Sequence, residues 1–375
     1  MNIATSKRKD EDAAVRICIH ECKKAFTAPI LITLMVLFSA FNLFFIFSNS
    51  NTRDELKVAN ELAKTYDTRI TDEALLQLEK DLKTDIARPH GSDGPALSQL
   101  QLKTMYRKMA QSIDSEYARI DWNKIAKFEI RKYKLSGIAA ERLTEEYGRL
   151  SQRFEELKEN GEHKTWFFAG KPYRMHSFLF ASVFRMIIFE SLLLIGLTTA
   201  FITNYEFENK TFLVAYSTRR GRSLMIDKLA ASLLTAAGMV TVIAAVTLGA
   251  YFSVFDYSHL WNSPISSAFN WEGRVDTLPY VSWWNVSFAA YLSGSILLLY
   301  VCMLLLSAMV FFHFDGCEKQ LFRFFSLCDA VCSSFACTRN HAHVFKHDFH
   351  CGIQSFRSAH ESAFMVYGQR RVNDV

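Results

Sequence analysis

Long uncharged runs alternate with long charged ones along this chain, on a scale too coarse for the face-to-face patterning of a soluble domain. Residues 177–203 are almost entirely apolar, and residues 30–47, 229–255 and 288–312 form three further apolar runs, the last two without a charge. At about 1.5 Å of rise per residue, a helix over any of these runs can cross a hydrocarbon layer about 30 Å thick. Burying three such runs inside a soluble protein would need each to be enclosed on every side, which is uncommon. The pattern therefore predicts an all-α fold: a polytopic α-helical membrane protein with a helical extracellular domain between the first and second spans.

The polar stretch that gives this domain is residues 48–176. Leu56, Ala59, Leu62 and Ala63, then Leu75, Leu76, Leu78 and Leu82, recur at helical spacing amid Glu, Lys and Asp until the Arg88 to Pro95 segment breaks the pattern. A second helical stretch is expected from Ala96 to Lys134. A third is expected from Ser136, as N-cap, through Leu143, Tyr147, Leu150 and Phe154 to a stop at Asn160-Gly161. Trp166, Phe167, Phe168 and Tyr173 are expected to return the chain to the outer membrane interface.

Before the first span, residues 1–12 read as mobile and polar. Residues 13–26 set Val15, Ile17, Ile19 and Phe26 among Arg16, His20, Glu21, Lys23 and Lys24, which suits either a helix on the inner membrane surface or a plain continuation of the first span. Pro29 marks the turn into the membrane.

Composition sharpens the class. Half of the 375 residues are hydrophobic, and the formal net charge of +5 is spread over the polar segments, so it does not by itself indicate nucleic acid. Its distribution orients the chain. Lys7, Arg8, Lys9, Arg16, Lys23 and Lys24 precede the first span, whereas residues 256–287 hold Arg274 against Asp256, Glu272 and Asp276. The positive-inside bias then makes this a multi-pass cell-membrane protein with a cytoplasmic N-terminus and an outer 256–287 loop. Trp261, Trp271, Trp283 and Trp284 in that loop suit the headgroup level. An uncleaved anchor fits residues 30–47 better than a signal peptide, because no small-x-small pair closes the run.

The domain plan is accordingly a cytoplasmic N-terminus with interfacial helix (1–29), a first span (30–47), the extracellular domain (48–176) and a second span (177–203). A cytoplasmic loop (204–228), a third span (229–255), an outer loop (256–287), a fourth span (288–312) and a tail (313–375) complete it.

Candidate chemistry is sparse. The second span carries the only ionisable residues expected inside any span, Arg185 and Glu190. Five positions apart is about 140° around a helix, so they do not pair with one another. Arg185, about 12 Å from the outer end, can snorkel, whereas Glu190 nearer the middle needs a partner on another helix, a water-filled cavity or a proton. Both are candidates for a translocation path. His90 and His163 stand isolated, and no Gly-x-Ser-x-Gly turn marks a nucleophile.

The 204–228 loop is the most distinctive stretch. It reads Glu206-Phe207-Glu208-Asn209-Lys210-Thr211, then Ser217-Thr218-Arg219-Arg220-Gly221-Arg222, then Asp227-Lys228-Leu229-Ala230. Together with Glu21 to Pro29 ahead of the first span, it resembles the membrane-spanning subunits of ABC-2 type ABC transporters. The resemblance covers residues 13–313 in topology but only short motifs in sequence. It implies a permease subunit, an exporter rather than an enzyme, that moves substrate with ATP and Mg held on a separate ABC ATP-binding subunit. No Gly-x-x-x-x-Gly-Lys-Ser/Thr occurs in the chain, so this chain is not itself the ATPase. The resemblance implies further that Glu206, Glu208, Arg219, Arg220 and Arg222 contact the ATPase subunit, and that the permease works as a homodimer or with a second permease, among membrane lipids. The rival reading is a membrane-anchored receptor or sensor whose 48–176 domain binds a ligand.

The tail departs from the family, whose members usually have six spans. Residues 314–375 gather Cys317, Cys328, Cys332, Cys337 and Cys351 with His341, His343, His347, His350 and His360. Cys328, Cys332, Cys337 and His341 are weak zinc candidates, since their spacing matches no common zinc module. We expect instead a tail foreign to the family, such as a shifted reading frame would give, and no metal or cofactor on this chain.

Overall fold

The computed structural model describes residues 3–87, 94–166, 176–217, 223–267, 279, 281–314 and 366–367. The protein is mostly helical. In chain order the helices are α1 (Ile3–Thr27), α2 (Pro29–Ser48), α3 (Arg53–Tyr66), α4 (Asp72–Ala87), α5 (Gly94–Ala118), α6 (Trp122–Lys132), α7 (Ile138–Glu159), α8 (Phe184–Glu208), α9 (Phe212–Ser217), α10 (Leu224–Val254) and α11 (Phe288–Phe314). A π-helical stretch over His176–Val183 leads into α8. The described strands, β1 (Val281–Ser282) and β2 (Val366–Tyr367), pair antiparallel with Val281 opposite Tyr367.

Among the described residues, four helices are long and apolar enough to cross a membrane: Pro29–Ser48, Phe178–Glu208, Leu224–Val254 and Phe288–Phe312. The second and third run well past the apolar stretches that predict them. Tyr205 to Glu208 are helix-compatible side chains with no breaker, so α8 continues through them to Asn209. At the other side α10 begins at Leu224, which places Asp227 and Lys228 inside a helix rather than in a loop. The helices that carry the apolar runs thus hold Glu206, Glu208, Asp227 and Lys228 as well, outside the runs themselves.

The chain divides into two compact units: residues 1–49, 180–254 and 295–336 form the first, and residues 50–179, 255–294 and 337–375 the second.

In the first unit, α1 is one continuous helix from Ile3, so residues 3–12 are helical rather than the mobile lead expected. It does not continue straight into α2: Ala28 takes an extended conformation (φ −67°, ψ 120°) and Pro29, with no N–H to lose, opens the next helix. The turned-back α1 packs on α10, where Cys22 Sγ lies 3.6 Å from the Ala231 carbonyl oxygen. Gly238 of α10 leaves room for the Phe26 ring, whose Cζ sits 2.7 Å from where a Cβ would stand. Ala25 and Glu21 are buried, whereas Val15, Ile19 and Phe26 form an exposed apolar stripe next to exposed Arg16, His20 and Lys23.

The second unit is a helical assembly with its own core, in which Leu56, Tyr106, Tyr117, Trp122, Phe154, Leu157 and Trp166 are buried. Each of the first two expected helical stretches is a pair of helices. Asp67 at φ 70° separates α3 from α4, and Asp121 caps α6 by accepting from the Asn123 and Lys124 N–H groups, both at 3.1 Å. Gly137, not Ser136, occupies the N-cap position of α7. The expected stop holds, with Asn160 as C-cap and Gly161 at φ 67°.

Residues 255–294 belong to this same unit and are not a separate loop. Asn60 of α3 donates to the Asp256 carbonyl oxygen and accepts from the His259 N–H at 3.0 Å, clamping both backbones with one amide. Ser267 Oγ donates to the Thr165 carbonyl oxygen at 2.7 Å. Trp166 is fully buried: its backbone N–H donates to the Thr68 carbonyl oxygen at 3.2 Å and its ring lies against Tyr106. The expectation of an interfacial Trp166 is thereby overturned; Phe167, Phe168 and Tyr173 lie outside the described residues. Trp261 likewise stacks near Tyr257 and Phe288, leaving Trp284 as the exposed tryptophan of the described part of this segment.

His163 is not isolated. Its ring stacks on Tyr117 and its Nε2 lies 3.2 Å from Asp114 Oδ1, while Lys164 Nζ reaches Asp114 Oδ2 at 2.7 Å. Burial holds the imidazole below its ordinary range, and the Asp114 contact only partly offsets this. The unfolded chain therefore takes up a proton near pH 6.5 that the folded chain resists. Stability from this residue is complete above that pH and lost as pH falls through it. The expected outcome is a melting temperature that drops between about pH 7.5 and about pH 5.5, with the drop reduced in His163→Phe.

Candidate functional site

The site is a ladder of buried polar groups along α8. Glu190, Thr199 and Glu206 follow one another at separations of about 13 Å and about 11 Å along the helix axis. Each is met by polar side chains from neighbouring helices of the same unit.

At Glu190, Asn42 of α2 donates through Nδ2 to Glu190 Oε2 at 2.8 Å and to Thr247 Oγ1 of α10 at 2.8 Å. Asn42 and Thr247 are fully buried and Glu190 nearly so. At Thr199, three hydroxyls close a triangle: Thr199 Oγ1 to Ser232 at 3.0 Å and to Ser307 at 3.1 Å, and Ser232 to Ser307 at 2.8 Å. These tie α8, α10 and α11 together, and all three residues are completely buried. Interhelical hydrogen bonds of this kind contribute roughly 0.6 kcal/mol each in a membrane bundle.

The third level is ionic. Lys228 of α10 has no solvent exposure; its Nζ donates to the Ile202 carbonyl oxygen at 2.8 Å and to Glu206 Oε2. Glu206 Oε1 in turn lies 3.7 Å from Lys24 of α1, which bonds Glu21 Oε1 at 2.7 Å and sits 4.1 Å above the Tyr205 ring. A chain of alternating charge, Glu21–Lys24–Glu206–Lys228, thus joins α1, α8 and α10. Both lysines bring positive charge to the last two turns of α8, where the helix dipole is negative.

The segment beyond Glu206 is shaped by a tight helix stop. The Lys210 N–H bonds the Phe207 carbonyl oxygen at 3.1 Å and the Thr211 N–H bonds the Glu206 carbonyl oxygen at 2.8 Å, with Lys210 at φ 56°. This is a Schellman end in which lysine fills a place that favours glycine. Lys210→Gly is expected to stabilise the chain by ~1 kcal/mol, read by thermal unfolding in detergent. The short α9 that follows exposes Leu213 and Val214, and Phe207 and Ile226 on either side are exposed as well.

The candidates read from the sequence are thus distributed unevenly. Glu206 gives its carboxylate to Lys228 inside the unit, whereas Glu208 is exposed. Arg219, Arg220 and Arg222 lie outside the described residues, as do Cys328, Cys332, Cys337 and His341. Arg185 is exposed and Glu190 buried, and no ion pair joins them among the described residues. Asn42 and Thr247 were not singled out from the sequence, and Lys24 and Lys228 were noted there as part of charged stretches and a motif but not as site residues. Asn42 had a signal, as a lone amide in an otherwise apolar span; the pairing of Lys228 had none, since its partner sits on another helix. Among the described residues no three His, Cys, Asp or Glu side chains converge as a metal site.

No family model, no curated protein and no solved structure matches this chain.

Proposed function

We propose that the chain is the membrane-spanning permease subunit of an ABC-2 type ABC transporter, exporting substrate with ATP hydrolysed on a separate subunit. The observation that carries this reading is the buried charge chain at Glu206. Segment 209–223, basic in sequence, lies between Glu206 and Lys228, whose ion pair joins α8 to α10, and Glu206 also reaches Lys24 of α1. Because interrupting a buried ion pair is costly, a push on this segment is transmitted to α1, α8 and α10 together rather than absorbed locally.

In this reading the N-terminus, α1 and the 209–223 segment face the cytoplasm, and the second unit faces outward. The ATPase subunit docks on Arg219, Arg220, Arg222 and Glu208, with exposed Leu213 and Val214 as the apolar centre that the sequence reading missed. Glu206 serves transmission rather than contact. The permease acts with a second copy, and the ATP and Mg belong to the partner.

The test is a photo-crosslinking amino acid placed at Leu213 in intact membranes. A crosslinked protein carrying a phosphate-cradling Gly-x-x-x-x-Gly-Lys-Ser/Thr loop supports the docking surface. Crosslinks to lipid alone, from a chain that is correctly folded, would remove it.

A further inference from the structure

Among the described residues, the carboxyl at the Glu190 level has no counter-charge. Of the helices that pack on α8, α2 has no ionisable side chain between Pro29 and Ser48, α10 brings Asp227, Lys228 and Tyr251, and α11 brings Tyr291, Tyr300 and Cys302, none of these three a cation. On α1, residues Arg16, Cys18, His20, Glu21, Cys22, Lys23 and Lys24 lead up to the Glu206 level, and Lys24 and Lys228 are both held there. That level is sixteen residues from Glu190, about 24 Å along α8. Tyr251, one turn beyond Thr247 on α10, brings a phenol and no cation. Arg185, on α8 itself, is exposed. A bare carboxylate in such surroundings loses its hydration without a cation to replace it, and the group neutralises instead.

The partners decide what neutralises it. Asn42 directs its amide N–H groups at both Glu190 Oε2 and Thr247 Oγ1, so the positive end of a dipole occupies the space an alkali or divalent ion would need. A proton needs only one lone pair. Asn42 Oδ1 is buried with no hydrogen-bond partner. Turned over, the same amide offers an acceptor to a carboxylic O–H; as it stands, it offers a donor to a carboxylate oxygen. One side chain can thus serve both forms of Glu190.

We propose that Glu190, with Asn42 and Thr247, is a proton-binding site of the helix bundle, loaded and unloaded reversibly. On loading, a hydronium ion gives its proton to the carboxylate, so that one O–H bond forms as one breaks and water is left, and the Asn42 amide turns from donating to Glu190 Oε2 to accepting from the new O–H. On unloading, the charge left behind favours water entry between α2, α8 and α10, so the two forms favour different packings of these helices. This site goes beyond the coupling reading and does not depend on any ATPase.

The experiment uses the full chain in liposomes. Infrared spectra of the wild type minus Glu190→Gln should contain the C=O stretch of a protonated carboxyl, and the band should disappear reversibly as pH is raised from mildly acid to alkaline. Dicyclohexylcarbodiimide, which attacks protonated carboxyls in apolar surroundings, should label Glu190 in preference to exposed Glu208 in the wild type, with labelling that falls over the same pH range. The second readout stands if the glutamine variant does not fold. Absence of both signals, or signals that do not change with pH, overturns the proposal.

Discussion

Replacing Lys228 with methionine is expected to destabilise the chain by ~3–5 kcal/mol, because it leaves Glu206 buried without its main counter-charge. Lys228 has no exposure, and its ammonium holds both the Glu206 carboxylate and the Ile202 carbonyl oxygen. Lys24, 3.7 Å from the other Glu206 oxygen, softens the loss and places it toward the lower end of that range. The double variant Lys228→Met, Glu206→Gln removes the stranded charge and should recover most of the stability, as replacing a whole buried pair by neutral groups commonly does. Thermal unfolding of the four chains in detergent gives the coupling energy directly. A single Lys228→Met chain that melts with the wild type would show that the charge chain does not hold α8 to α10.

The same logic applies in the second unit with a sharper geometry. Arg153 of α7 is 6% exposed; its Nη2 donates to Glu162 Oε2 at 2.6 Å and its Nε to the Ser282 carbonyl oxygen at 2.9 Å. Its fork therefore joins the end of α7 to the segment that carries β1. Arg153→Met is expected to cost ~3–5 kcal/mol, by stranding Glu162, which is 2% exposed. Arg153→Lys keeps the charge but not the fork, and should fall between the two. Adding Glu162→Gln to Arg153→Met should recover stability while leaving the Ser282 carbonyl oxygen without its donor. Limited proteolysis between α7 and Ser282 then reports whether that one hydrogen bond holds the segment. Equal protease resistance of Arg153→Lys and the wild type would remove the Ser282 contact from the account.

Hydropathy made the long apolar helices legible because a helix able to cross a membrane needs nothing beyond a long apolar run, and the four such helices among the described residues fall on the four runs that predict them. Helix ends were not legible from the same signal. Tyr205 to Glu208 and Leu224 to Lys228 are polar enough to read as loop, yet nothing in them breaks a helix, and the tertiary pairing of Glu206 with Lys228 satisfies the charges that made them look exposed. In the second unit, the third helical stretch ended where Asn160-Gly161 predicts, since a left-handed Gly161 is a local signal. The burial of Trp166 and the capture of Asp256 and His259 by Asn60 are long-range, and one sequence carries no sign of them. The site divides the same way. Glu190 declared itself as a lone carboxyl in an apolar run, but which atoms answer it, Asn42 and through it Thr247, depended on how α2 and α10 pack on α8.

The central claim is that a separate ATPase drives this chain through its basic segment, and co-purification tests it most directly. The chain is drawn from membranes co-expressing candidate ATP-binding subunits, as wild type and with Arg219, Arg220 and Arg222 all changed to Glu. The account predicts that an ATPase is recovered with the wild type and lost on charge reversal, while Lys228 and the bundle keep the chain folded and its melting temperature unchanged. Recovery of an ATPase equally well by both chains would contradict docking on the arginines, and recovery of none by a folded wild-type chain would contradict the transporter reading itself.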